Sequence, residues 1–360
     1  MIKKILFLLC SAPLLAFAQI KEQADAIVLP YLENNAFSGT ITIAQQGKII
    51  YQKTSGFRDF TSRTPLKKTD LFELASVSKQ FTAMVIMLLQ EKGQLQFDDP
   101  VEKYLDIPYK NISIRHLLTH TSGLPDYQSI MDQHWDKSMV ANNDDILNYL
   151  RRYAPPTRFV AGSKYEYSNT GYVLLASIAE KASGRDFTEI CRTEIFQPLG
   201  MKDTDLRTPA ERSAIPHFAK GHIADKTGTN FLPADSFPSS NYTIWLGHRE
   251  GPGRISSTTP DLLKWDAALR QHRLVKKETL EQAYTPQTLN NGELSMYGFG
   301  WDIMDNDPEH RVVGHNGDNP GYKTQIIRSL HNQTTLIVLS NNAPAAFEKM
   351  IDALQSLITK

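Results

Sequence analysis

The sequence predicts an α/β fold of the α+β kind: an antiparallel sheet built from both chain ends, flanked by helices, with a largely helical lobe inserted. Two β-rich runs near the start, four near the end, and helical apolar faces between them carry that prediction. In chain order, a helix is expected near Ile20–Leu32. Ser38–Ala44 and Lys48–Lys53 follow as strands, with Gln45-Gln46-Gly47 as the hairpin turn. Phe81, Met84, Val85 and Leu88 share one helical face, and Gly93 stops that helix. Ile114–His120 is a short helix ended by Ser122-Gly123, and Tyr172–Ala182 is another, stopped by Gly184. Thr259-Pro260-Asp261 marks a further start, with threonine as cap and proline at the first helical position. Gly298–Ile303, Arg311–Gly314, Thr324–Arg328 and Thr334–Leu339 are again β-rich. A last helix after Pro344 aligns Phe347, Ile351, Leu354 and Ile358. The sheet lobe is expected over about 19–60 and 295–360, and the helical lobe over about 61–294, as one domain.

The first residues read as a secretory signal. Lys3 and Lys4 precede an apolar run from Ile5 to Phe17, and Ala16-Phe17-Ala18 offers small residues for cleavage after Ala18. That run is too short to span a bilayer comfortably, so no transmembrane segment is expected. The expected location lies across the inner membrane, in the periplasm. Cleavage would remove Cys10 and leave Cys191, so no disulfide within the chain is expected, and Cys191 reads as a packing residue. Basic and acidic residues number 39 each, which gives no bulk attraction for nucleic acid.

Three short segments carry the chemistry. Ser76-Val77-Ser78-Lys79 opens a helix, so Ser76 and Lys79 sit one turn apart on one face. A serine hydroxyl is a poor nucleophile until a base takes its proton. A lysine does this when desolvation or a neighbouring cation keeps its amine neutral. Tyr167-Ser168-Asn169 lies in a polar turn before a helix. Its phenol suits a proton relay, and its amide suits a contact to lysine and substrate. His315-Asn316-Gly317 is expected to end a short strand, where glycine lets the backbone approach a substrate. Each segment has a bland reading too: a chance Ser-x-x-Lys, an asparagine helix cap, a turn with an exposed histidine. Tyr109-Lys110-Asn111 and Lys226-Thr227-Gly228 imitate the second and third segments, and both read as solvated surface. His116 and His120 are four apart, as in zinc sites, but lack a glutamate or third ligand, so no metal and no cofactor is expected.

The order and spacing of these segments resemble the β-lactamase-related serine hydrolases, typified by class C β-lactamases and penicillin-recognising DD-peptidases. Leu117-Leu-Thr-His-Thr-Ser-Gly-Leu-Pro, Pro198-Leu-Gly-Met, Tyr297-Gly-Phe-Gly-Trp and Gly314-His-Asn-Gly resemble that family as well, from about Phe37 to Ile358. The resemblance implies Ser76 as nucleophile, Lys79 as its partner and Tyr167 as proton relay. It implies Asn169, His315, Gly317 and Asp318 at the substrate, with the Ser76 and Asp318 backbone N–H groups as oxyanion donors. His315 stands where class C enzymes usually carry lysine. It is expected to be partly charged near neutral pH and to favour weak over strong β-lactamase activity. The function expected is an exported serine hydrolase forming an acyl-serine on an ester, amide or peptide bond. DD-peptidase, D-aminopeptidase and esterase chemistries are all open. The alternative is a non-catalytic or slowly deacylating protein that binds penicillin or cell-wall peptides. The expected partner is a small molecule or peptide, and oligomeric state stays open.

Overall fold

The computed structural model describes residues 12–33, 36–228 and 230–359. Most of the expected export signal, with Lys3, Lys4 and Cys10, lies outside the described residues. The expected fold class is the observed one. Six strands form one antiparallel sheet: β1 (Gly39–Gln45), β2 (Lys48–Ser55), β3 (Asp302–Asp305), β4 (Val312–Asn319), β5 (Tyr322–Ser329) and β6 (Thr334–Ser340). Their spatial order is β3-β4-β5-β6-β1-β2, so the two chain ends meet where β6 pairs β1, Gly39 opposite Ser340.

Each face of the sheet carries apolar side chains, so each must be covered. Helix α1 (Ala12–Leu32) and the last helix pack on one face around Ile41, Ile43, Ile327, Leu336 and Val338. In that last helix, Phe347, Ile351, Leu354 and Ile358 are all buried, as their spacing requires. The other face, through Val313, Ile326, Ile337 and Leu339, joins the core of the helical region. At its centre runs α2 (Lys79–Glu91), apolar on nearly all sides and buried from Lys79 to Leu89. Such a helix is held by packing on every face. The helix α3 (Asn169–Ser183) crosses it and ends at Gly184, which adopts a left-handed cap.

Several local expectations need correction. Gly298–Trp301 is not strand; only Asp302–Asp305 pairs. Gly300 holds φ +77, and an added methyl there would lie 2.7 Å from the Lys79 carbonyl oxygen. Gly300 thus serves a close approach to α2, and Gly298 one to the Ala283 carbonyl, and neither serves a ladder. Strand β4 runs to Asn319, so His315-Asn316-Gly317 lies within it and not after it. Thr258, not Thr259, caps the helix beginning there, because its hydroxyl accepts the Asp261 N–H at 3.3 Å. Tyr109 is buried, its hydroxyl donating to the Pro155 carbonyl, while Lys110 and Asn111 are exposed. Lys226-Thr227-Gly228 forms the exposed tip of a small hairpin, far in character from β4.

Candidate active site

Ser76 sits in a 3-10 turn, Ala75–Ser78, that feeds directly into α2. Ala75 holds φ +49, a conformation that costs a residue with a Cβ roughly 1–2 kcal/mol. The turn is fixed from several sides. Ser78 Oγ accepts the Ile255 N–H at 3.2 Å, and Phe72–Glu73 pairs with Ser256-Ser257. Thr324 on β5 donates to the Leu74 carbonyl at 2.7 Å, which seats the turn against the sheet.

Lys79 is fully buried, and its amine has three oxygen neighbours: Ser76 Oγ at 3.1 Å, Asn169 Oδ1 at 2.8 Å and the Pro252 carbonyl at 3.0 Å. Burial, and then the Arg249 guanidinium, hold its pKa well below the ordinary lysine value, while Asp302 opposes them. A neutral amine has two N–H donors and one lone pair. The donors match Asn169 Oδ1 and the Pro252 carbonyl, which leaves the lone pair to Ser76 Oγ–H. Asn169 is free for this contact because Ser168 caps α3, its Oγ accepting the Gly171 N–H at 3.3 Å.

Tyr167 stands over the lysine, whose Nζ is 4.8 Å from the ring centroid. The residue is 40% exposed. Even so, the crowding around the phenol raises its pKa, against an opposing hydrogen bond with Ser76. The ring is packed by His120 at 4.3 Å between centroids. His120 is buried, with φ +57, and its Nδ1 accepts the Ser168 N–H at 3.1 Å. His116 instead accepts the Ser113 N–H in a capping box. The two histidines therefore have separate structural partners, and no cluster among the described residues is arranged to hold a metal.

His315 differs most from expectation. Its side chain is fully buried, Nδ1 donating to the Asn316 carbonyl at 2.6 Å and Nε2 accepting from the Tyr297 hydroxyl at 2.8 Å. Burial first, then the Lys79 amine, push its pKa down to about 3. A partly charged imidazole gripping an anionic substrate is therefore excluded: the ring is neutral, and both nitrogens are spent inside the protein. Its ring lies 6.2 Å from that of Tyr167, so it remains part of the wall behind the phenol.

Beyond Gly314, the partner of Asp302, no strand among the described residues pairs with the outer edge of β4. The Pro320-Gly321 turn makes Asn319 and Tyr322 a hydrogen-bonded pair, so alternate residues Asn316 and Asp318 aim N–H and C=O outward. Gly317 is the point where this edge meets the serine turn. A Cβ there would lie 2.3 Å from the Leu74 carbonyl and 3.1 Å from Ala75 Cβ. Asn316 and Asp318 side chains are exposed. A cavity of about 780 Å³ opens beside Tyr167, Ser168 and Asn169, and one of about 180 Å³ beside Asn316 and Asp318.

Sequence reasoning passed over five participants. Tyr297 was part of a quoted stretch but had no role assigned. His120 was set aside with His116. Arg249 and the Pro252 carbonyl lie in a loop with no periodicity to mark it. Asp302, whose pKa burial raises to about 6 against the pull of Lys79, is the acidic neighbour of the site.

A family model described as Beta-lactamase matches residues 24–359. Penicillin-binding protein 4* of Bacillus subtilis (strain 168) is 43% identical over 314 residues, 86% of this chain and 69% of that protein. A D-aminopeptidase of Brucella anthropi is 28% identical over 319 residues; the match covers 86% of this chain but only 57% of that protein. Among solved structures, the penicillin binding protein from Bacillus halodurans aligns with a TM-score of 0.79 at 27% identity, covering 93% of this chain and 98% of that one. The chain belongs to the Beta-lactamase family. It is a serine hydrolase of that family.

Proposed function

We propose that the chain is an exported hydrolase that acylates Ser76 and acts on small esters, amides or peptides of the kind penicillin-binding proteins and D-aminopeptidases handle. The observation that carries this reading is the Lys79 amine: buried, depressed in pKa, and placed 3.1 Å from Ser76 Oγ. Lys79 takes the serine proton as Oγ bonds to the substrate carbonyl carbon. The backbone N–H groups of Ser76 and Asp318 receive the oxyanion. The tetrahedral species collapses by breaking the bond to the leaving group, which takes a proton delivered through Tyr167. A raised phenol pKa suits Tyr167 to carry a proton and makes it a poor resident base. Water then attacks the acyl carbon, gives its proton to the same pair, and releases the acid and free Ser76. Asn169 holds Lys79 and faces the larger cavity, where the substrate amide would lie.

Intact-mass spectrometry after incubation with benzylpenicillin or a fluorophosphonate tests this. One adduct, mapping to the Ser76 peptide and absent in Ser76→Ala, is expected; an adduct that persists in Ser76→Ala overturns it. Export is supported by the basic start and apolar run before Ala18. Fractionation of cells should recover the chain outside the cytoplasm, shortened at its start, and full-length protein in the cytoplasm would refute export.

A further inference from the structure

The Pro252 carbonyl, which takes one N–H of Lys79, belongs to a loop without helix or strand. Glu250, Gly251 and Pro252 are consecutive there, and among the described residues no backbone N–H bonds to any of their three carbonyls. Each carbonyl is met by a side chain instead. Asn143 Nδ2 donates to the Glu250 carbonyl at 3.3 Å, Thr82 Oγ1 to the Gly251 carbonyl at 2.7 Å, and Lys79 Nζ to the Pro252 carbonyl at 3.0 Å. Asn143 Oδ1 also accepts the Glu250 N–H at 2.9 Å. A buried carbonyl left without a donor is costly, so these side chains set where the loop can lie.

The donors come from two helices. Lys79 and Thr82 are one turn apart on α2 and both fully buried, and Asn143 opens the helix Asn143–Tyr153. On the α3 side the loop is fixed by contact. Gly251 holds φ +102, and a Cβ there would lie 2.0 Å from the Tyr172 carbonyl oxygen. On the α2 side it is fixed by the Thr82 hydrogen bond. The neutral Lys79 amine has two donors, and its lone pair is left to Ser76 only while Pro252 and Asn169 take both. An amine that loses the Pro252 carbonyl can turn an N–H toward Ser76 Oγ, and in that orientation it cannot accept the serine proton.

We infer that Thr82 and Asn143 are positioning residues for the general base: they hold the Glu250–Pro252 backbone so that the Pro252 carbonyl keeps one N–H of Lys79 and leaves its lone pair to Ser76. This rests on the hydrolase reading above and adds two buried residues to it.

The test measures acylation by p-nitrophenyl butyrate as a stopped-flow burst from about pH 5 to 9, in wild type, Thr82→Val, Thr82→Ser and Asn143→Leu. Valine keeps the shape of threonine and removes its donor. Thr82→Val is expected to lower the plateau acylation rate about tenfold or more, with the half-saturating ester concentration unchanged. The acid limb should move to lower pH by about half a unit or more, because the charged amine loses an acceptor that favours it. Thr82→Ser keeps the hydroxyl and should restore the limb, and the rate to within about threefold of wild type. Asn143→Leu should shift both quantities the same way, by less. Arg249, Asp302, Tyr167, Tyr172, His120 and His315 are the other charged or titratable groups facing Lys79, and none is substituted. A loop that carried the Arg249 cation away would send the limb to higher pH. A shift in that direction overturns the inference, as does an unchanged limb in Thr82→Val or no recovery in Thr82→Ser; an unchanged profile in Asn143→Leu overturns the part given to Asn143. If wild type gives no burst and a fluorophosphonate fails to label Ser76, the hydrolase reading falls instead. An NMR titration of the Lys79 Nζ signal, assigned by its loss in Lys79→Arg, then reads the inference alone: Thr82→Val should lower the Lys79 pKa, and an unchanged value overturns it.

Discussion

Gly317→Ala should separate the open strand from the serine turn. Gly317 has an ordinary backbone conformation, so the added methyl acts through contact alone. Its Cβ would lie 2.3 Å from the Leu74 carbonyl oxygen and 2.3 Å from Thr324 Oγ1, whereas contacts below 3.0 Å are essentially never seen. The threonine can rotate away, at the loss of its 2.7 Å bond to Leu74, but the carbonyl belongs to the backbone. Strand and turn must therefore part by about 0.7 Å or more, the difference between those distances. Overpacking of this kind costs about 1–3 kcal/mol, and the lost hydrogen bond about 1 kcal/mol more. At about 2–4 °C per kcal/mol the melting temperature should fall by roughly 4–16 °C. The Asp318 N–H moves with the strand, away from Ser76. Displacements near 1 Å in such a site cost about 10²-fold in rate. Ester turnover per folded molecule, measured well below the melting range beside a thermal melt, checks both numbers. Turnover within threefold of wild type would refute the role given to the strand edge, even if the melting temperature falls.

Lys79→Ala and Tyr167→Phe should each lower turnover by about 10²-fold or more, and the double variant should be little worse than the poorer single one; losses that add in log units would break the proton-transfer unit apart. The acid limb of the acylation profile should report Lys79 protonation, with an apparent pKa well below 10.5. Arg249→Met should move that limb to higher pH and Asp302→Asn to lower pH, because the first removes a cation and the second an anion; shifts of the same sign in stopped-flow labelling would refute the assignment. His315, with a folded pKa near 3 against about 6.5 unfolded, binds its proton only in the unfolded state across that window. Stability should thus fall as pH drops below about 6.5, with no dependence from this group above it, and His315→Asn should remove about 1.4 kcal/mol per pH unit of that slope; denaturant titrations at pH 7.5 and 5 showing equal slopes would mean that the ring is charged or exposed.

What was legible in the sequence was what short-range physics writes locally. The β-rich ends, the Gly93 and Gly184 stops and the last amphipathic helix depend on periodicity and turn chemistry, and apart from Gly298–Trp301 each appears where the pattern puts it. Ser76, Lys79, Tyr167 and Asn169 were found because their motifs are short and ordered, and the fold brings Lys79 Nζ to both Ser76 Oγ and Asn169 Oδ1. Charge state was not legible, because it belongs to the packing around a group. A histidine in a strand reads as a switch near neutral pH until a tyrosine 18 residues away closes over its Nε2. A lysine reads as a cation until burial and Arg249, 170 positions on, depress it.

That difference bears on specificity. At this point of β4 a lysine would carry its positive charge into the cleft, but His315 brings none. An anionic group brought to the strand edge would instead meet the exposed Asp318 carboxylate, which repels it. The side chains of this strand edge therefore offer an anionic substrate no attraction. The strand is left to do what its backbone can do without charge, which is to align the scissile group and receive the oxyanion.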